Sequence, residues 1–179
     1  MADPDYPFDL SERPVRADGE LARIKMQPHS VEAEQSVLGG LLLAADAWDA
    51  VAEAVTAADF YRPGHRLVFR QIQQLAEALQ PIDVITVADK LEASGELDAA
   101  GGLSYLAELA QNTPSASNIR AYAQVVRERA SLRRLIEAAQ DIAESGFSPE
   151  GRSSVELIDA AERRIMQISE EGPKAGGPA

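Results

Sequence analysis

The chain has no cysteine and only two histidines, His29 and His65, in 179 residues. A disulfide scaffold, a thiolate zinc site and a cysteine nucleophile are thereby excluded, and a histidine-built metal site nearly so. Lysine is scarce: Lys25, Lys90 and Lys174 are all there is, so positive charge is almost entirely arginine. None of these lysines follows a glycine, which removes the Gly-Lys-Ser/Thr phosphate loop, and no His-Glu-x-x-His occurs. Positive charge is also outnumbered, 17 basic residues against 29 acidic for a net charge of −12. That balance opposes a general grip on nucleic acid and leaves room only for a local one. Long hydrophobic runs are missing. The longest strongly apolar stretch, Val37 to Ala45, is too short to span a bilayer. The N-terminus carries Asp3, Pro4, Asp5 and Pro7 where a signal peptide carries positive charge and then an apolar run. These absences describe a soluble, cytoplasmic protein of a reducing compartment with no membrane partner.

What is present is a hydrophobic fraction of 45%, enough for a packed core in about one domain. Residues 1–28 hold four of the ten prolines and no sustained periodicity, and read as a disordered arm. Residues 172–179, Gly-Pro-Lys-Ala-Gly-Gly-Pro-Ala, have the composition of an interdomain linker. Between these ends the pattern is helical. Ser30 can cap a helix with Glu32 and Glu34 in its first turn and an apolar face of Val31, Val37, Leu38, Leu41 and Leu42. Asp46 is placed to cap a second, Pro63 to open a third and Asp83 a fourth, with Gly95 as its C-terminal cap. A fifth short helix follows Gly101-Gly102 and stops at Asn112-Thr113-Pro114. From Asn118 the pattern runs unbroken to about Ser145, and Gly146-Phe147 resembles a glycine cap with its hydrophobic clasp. After a turn at Ser148–Gly151, Ser153 with Glu156 fits a capping box. Period-two alternation appears only weakly, around Val84–Val87, where Pro81 and Asp83 fit a helix start better. The expected fold is all-α: a compact head of short helices over 29–112 and a long antiparallel helical hairpin over 113–171, with no internal repeat.

No catalytic constellation emerges. Glu32 with Glu34, and Glu170 with Glu171, sit in first or last turns and read as solvated charge. His65, among Arg62, Pro63 and Arg66, reads as a histidine at a helix start, hydrogen-bonded or solvated, with no titratable partner in reach by sequence. Gly39-Gly40 inside a helix points to close packing against another helix, with partner contact as the other reading. Ile158, Ala161, Ile165 and Ile168 recur at alternating three- and four-residue steps, a narrow seam that one partner helix cannot cover, so self-association is expected there, with Gly39 and Gly40 as the fallback. The densest basic cluster is Arg127, Arg129, Arg133 and Arg134, with Arg120 before it and Arg163 and Arg164 on the facing helix. One reading is a solvated face paired with Glu128, Glu137 and Glu162. The other makes Arg127, Arg133 and Arg134 contacts for a protein partner, since arginines among aliphatics suit interface anchors.

Several blocks in order carry a resemblance: Pro28-His29-Ser30-Val31-Glu32-Ala33-Glu34-Gln35-Ser36-Val37-Leu38-Gly39-Gly40-Leu41-Leu42, then Asp59-Phe60-Tyr61-Arg62-Pro63-Gly64-His65-Arg66, Pro81-Ile82-Asp83 and Gly101-Gly102-Leu103-Ser104-Tyr105-Leu106. Asn112-Thr113-Pro114-Ser115-Ala116-Ser117-Asn118-Ile119 and Tyr122-Ala123 continue it. Over about 28–171 the chain resembles the N-terminal domain of bacterial replicative DNA helicases of the DnaB type. The resemblance implies a non-catalytic collar domain of a ring hexamer that pairs through its hairpin and docks the C-terminal domain of primase, with a helicase loader as a further partner and little direct DNA contact. It implies that ATP and Mg belong to a separate RecA-like domain absent from this chain, so no cofactor and no catalytic residue carry over. A free-standing helical adaptor or regulator is the alternative; an all-α enzyme is the weakest, for want of acid clusters and metal ligands.

Overall fold

The computed structural model describes residues 26–113 and 116–171, so the 172–179 segment and all but the end of the N-terminal arm lie outside the described residues. Ser30 opens the first helix as its position predicts, its Oγ accepting the Ala33 N–H at 3.2 Å. This helix, α1 (Val31–Leu43), is buried along most of its length, with Val37, Leu38 and Leu41 fully enclosed. Gly39 and Gly40 explain how its neighbours come so close. A Cβ on Gly39 would lie 2.1 Å from the Leu109 carbonyl oxygen, and one on Gly40 would lie 2.8 Å from Ile119 Cδ1. Both glycines therefore serve packing inside the chain, and their burial removes them as a fallback surface for self-association.

After a 3-10 turn at Ala45–Ala47, α2 (Trp48–Ala52) starts with no side-chain cap; Asp46, expected to cap it, lies within the turn instead. A second 3-10 turn, Ala57–Asp59, is closed by a Thr56–Asp59 capping box. α3 (Pro63–Glu77) begins on its proline and buries Val68, Phe69, Ile72 and Leu75. α4 (Val84–Ala93) is capped by Asp83, whose Oδ1 accepts the Ile85 and Thr86 N–H groups at 2.9 Å each. Gly95, at φ 73°, ends it. α5 (Gly102–Gln111) follows.

α6 (Ile119–Phe147) is 29 residues long, and its first half belongs to the head: Ile119, Ala123 and Val126 join the core built by α1, α3, α4 and α5. A division at 112/113 thus runs through one packed unit. Beyond that core α6 pairs antiparallel with α7 (Ser154–Glu171), giving the all-α head and hairpin. The Gly146 cap does not form. The helix continues through Gly146 to Phe147, whose side chain is exposed rather than clasped, and the reversal is made by Glu150 (φ 51°) and Gly151 (φ 82°). The Ser153–Glu156 box does form. Ser153 N–H donates to Glu156 Oε2 at 2.7 Å, and this bond holds the Glu156 carboxyl below its ordinary range.

Two stability predictions follow from the caps. Leu79 ends α3 in the left-handed region (φ 53°) with its side chain 93% exposed, in a closure where Gln80 N–H donates to Leu75 O and Leu79 N–H to Ala76 O. Leucine gains nothing there and pays the Cβ strain, so Leu79→Gly should raise stability by about 0.5–1 kcal/mol in urea titrations. Asp83 is held below its ordinary 3.8, chiefly by the Thr86 backbone N–H. A depressed folded pKa contributes stability above the unfolded value that is lost as pH falls through the folded one. Asp83→Ala should therefore cost about 1 kcal/mol at neutral pH. The gap to the parent chain should close in melts taken below pH 3.8.

Candidate functional site

The α2–α3 connection, residues 56–62, must satisfy its backbone while carrying Phe60 into the core. Two buried carboxylates, Glu34 from α1 and Asp59 of the connection itself, do most of this. Glu34 on α1 is 2% exposed. Its Oε1 accepts the Tyr61 N–H at 2.5 Å and its Oε2 accepts the Arg62 N–H at 3.4 Å. His65 Nδ1 lies 2.6 Å from Oε2. With Glu34 as carboxylate, His65 Nδ1–H donates to it, which leaves Nε2 to accept from the Tyr105 hydroxyl at 2.8 Å. The Tyr105 oxygen in turn accepts from Gln35 Nε2–H at 3.1 Å. Two expectations are corrected here. Glu34 is not a solvated first-turn acid, because its position on α1 faces this loop. His65 is buried with a titratable partner, one that sits 31 residues away in sequence.

Asp59 is the second carboxylate and is 0% exposed. Its Oδ2 accepts from Thr56 N–H at 2.8 Å and Thr56 Oγ–H at 3.2 Å. Arg127 Nη1 donates to both of its oxygens, at 3.0 and 2.9 Å, and Arg134 Nη2 donates to Oδ1. Arg133 reaches past the carboxylate to the backbone, donating to Asp59 O at 2.5 Å and Pro28 O at 2.7 Å. Its guanidinium lies 5.5 Å over the Tyr61 ring, which stacks on His29. Burial pushes the Arg133 pKa down, Glu34 and Asp59 oppose that, and Arg66 and Arg134 add to it. Arg66 completes the loop by donating to Phe60 O at 2.6 Å.

Arg127, Arg133 and Arg134, expected as partner contacts, thus direct their charged groups into the chain. The solvated-face reading is corrected as well: among the described residues they pair with Asp59, not with Glu128, Glu137 or Glu162. The expected seam divides. Ile158 and Ile165 stand 58% and 50% exposed, beside exposed Val155 and Met166, whereas Ala161 and Ile168 are half-buried. Leu135 and Ile136 of α6 are exposed as well, so the hairpin presents apolar surface from both of its helices.

Among the described residues no group of three or more His, Asp or Glu could hold a metal ion, and no helix is long and apolar enough to cross a membrane. Both ionic networks hold the loop in place, and the hairpin exposes apolar side chains among charged ones. The chain belongs to the DnaB-like helicase N terminal domain family, whose pattern matches residues 26–128. The replicative DNA helicase DnaB of Haemophilus influenzae is 46% identical over 164 residues, covering 88% of this chain. The chain spans only 35% of that relative's length. The crystal structure of the N-terminal domain of DnaB helicase from Mycobacterium tuberculosis matches with a TM-score of 0.76 at 40% identity, over 79% of this chain and 99% of that one. A DnaB-like replicative helicase, described with its interactions with primase, matches at 0.66 and 26% identity, over 84% of this chain and 33% of that one.

The Glu34 network makes a prediction of its own. Tyr105→Phe deletes the hydroxyl that serves both His65 and Gln35 and leaves His65 Nε2 without a partner. Chemical denaturation should show a loss of about 1–3 kcal/mol, with helical circular dichroism unchanged before the transition.

Proposed function

We propose that the chain is the non-catalytic N-terminal collar domain of a hexameric, ATP-dependent 5'-3' replicative DNA helicase of the bacterial cytoplasm. In this reading it joins copies of the helicase through the hairpin and docks the C-terminal domain of primase, with a helicase loader as a further partner. ATP and Mg serve the parent's ATPase domain, and this domain makes little direct contact with DNA. The observation that carries the reading is the exposed apolar hairpin face on a chain of the DnaB-like N-terminal family. The interactions with primase described for the DnaB-like helicase support the choice of partner. Family membership and the 46% identity to a replicative helicase favour the helicase reading over a free-standing adaptor.

Ile158 and Ile165 are the contacts proposed for self-association, with Ala161 and Ile168 shaping the seam beneath them. Two-fold pairing is proposed because closed symmetry of that kind is commonest. Arg127, Arg133 and Arg134 enter the docking proposal as the residues that hold the neighbouring surface in place. Reversing their charge reads folding before it reads docking, since all three bind Asp59 or its backbone.

Ile165→Asp sets a charge on the apolar face without touching the core. Sedimentation equilibrium should shift toward monomer while circular dichroism stays helical; a folded mutant with an unchanged oligomer places the interface elsewhere. Titration of the chain with Mg-ATP should give no saturable heat, and a micromolar dissociation constant would contradict the non-catalytic assignment.

A further inference from the structure

The head and the hairpin are held together by different means. Up to Arg134, α6 is tied to the head twice over, by Ile119, Ala123 and Val126 in the core and by Arg127, Arg133 and Arg134 on the Asp59 loop. Beyond Arg134 it buries only Ala138, with Ile142 and Ser145 half-buried. α7 fully buries no side chain along its 18 residues. The side chains it half-buries, Leu157, Ala160, Ala161 and Ile168, recur at three- and four-residue steps on one stripe of the helix. Apolar burial stabilises in proportion to area, and Ala160 and Ala161 bring little of it.

Polar contacts do not make up the difference. Arg164 reaches Asp141 at 3.6 Å, between side chains 43% and 61% exposed, and an ion pair in that setting contributes little. Among the described residues no side-chain hydrogen bond joins α7 to α6. The bonds made around α7, Ser153 with Glu156 and Gln167 with Glu171, hold that helix to itself. The connecting turn does not favour closure either, since Glu150 carries its Cβ in the left-handed region (φ 51°).

We propose that α7 opens from α6 as one unit about the turn at 148–151, while the head and α6 up to Arg134 stay folded. The closed hairpin is the ground state, and α6 remains continuous with the head throughout, so the angle of the hairpin is kept whenever it closes. Opening is a local event with its own free energy, set well below that of global unfolding. Once released, α7 loses the packing that supplies most of a helix's stability, and its amides meet water. Any partner that binds the closed face and not the open one therefore locks the hairpin by mass action. The proposal rests on the packing of the hairpin and does not depend on the collar reading.

Hydrogen exchange of the full chain, read by mass spectrometry of peptic peptides, tests this. Protection is measured over a series of dilutions and extrapolated to zero protein concentration, which removes any share lent by a second copy. Amides of 154–171 should be protected about a hundredfold less than those of 31–43 and 63–77. Their exchange should also respond weakly to low urea, because opening the hairpin exposes little surface. Leu157→Ala, on the half-buried stripe, should speed exchange of 154–171 about tenfold and leave 31–43 and 63–77 unchanged. Equal protection of α7 and the head, with equal urea dependence, overturns the proposal. So does a Leu157→Ala chain in which all three segments speed up together, since α7 then unfolds only with the whole domain.

Discussion

The Asp59 carboxylate has no contact with solvent, and burying an unpaired charge in that way is prohibitive. Its position is tenable because Thr56 and two arginines saturate its oxygens, and both arginines come from α6, 68 and 75 residues further along the chain. The pairing fixes the α2–α3 loop against α6. From that fixed point Phe60 enters the core, Tyr61 stacks on His29 with the Arg133 guanidinium near its ring, and Glu34 closes over the loop's N–H groups from α1. Removing a single partner would leave the others buried and unmatched, so the network favours one arrangement of loop and helix more strongly than it favours stability as such.

The consequence for function is mechanical. α6 is at once a wall of the head, the donor of the Asp59 arginines and one limb of the hairpin. An apolar face carried on α7 and the outer part of α6 is therefore presented at a set angle to the head, without a flexible joint between them. Under the proposed collar function that rigidity lowers the cost of association, because loss of orientational freedom is part of that cost. The glycine pair in α1 serves the same end, since Gly39 leaves room for the Leu109 carbonyl and the Thr113 side chain and Gly40 for the Ile119 side chain.

Features that depend on neighbours a few residues apart were legible in the sequence. The Ser30 cap, Pro63 at the start of α3, the Asp83 start of α4, the Ser153–Glu156 box and the Gly95 stop all lie where their residue types require. The Gly39-Gly40 pair also signalled close packing, because two helix-interior glycines are costly unless something presses against them. The site was far less legible. Nothing local distinguishes Glu34 from Glu32 or shows that Asp59 attracts Arg127 and Arg134, since those partners meet only through the fold. The arginine cluster looked outward because the visible acids were its helix neighbours. Gly146 misled in the opposite direction: with turn residues four positions on, the helix had no need to end there.

The most direct test of the Asp59 clasp is a double-mutant cycle pairing Asp59→Asn with Arg127→Gln, read by equilibrium unfolding. A buried ion pair joining loop to helix should show strong coupling, about 2–3 kcal/mol, with the double mutant less destabilised than the sum of the two single mutants by that amount. Additive effects, with coupling below about 0.5 kcal/mol, would mean that the loop and α6 are held together by something other than the Asp59–Arg127 pair.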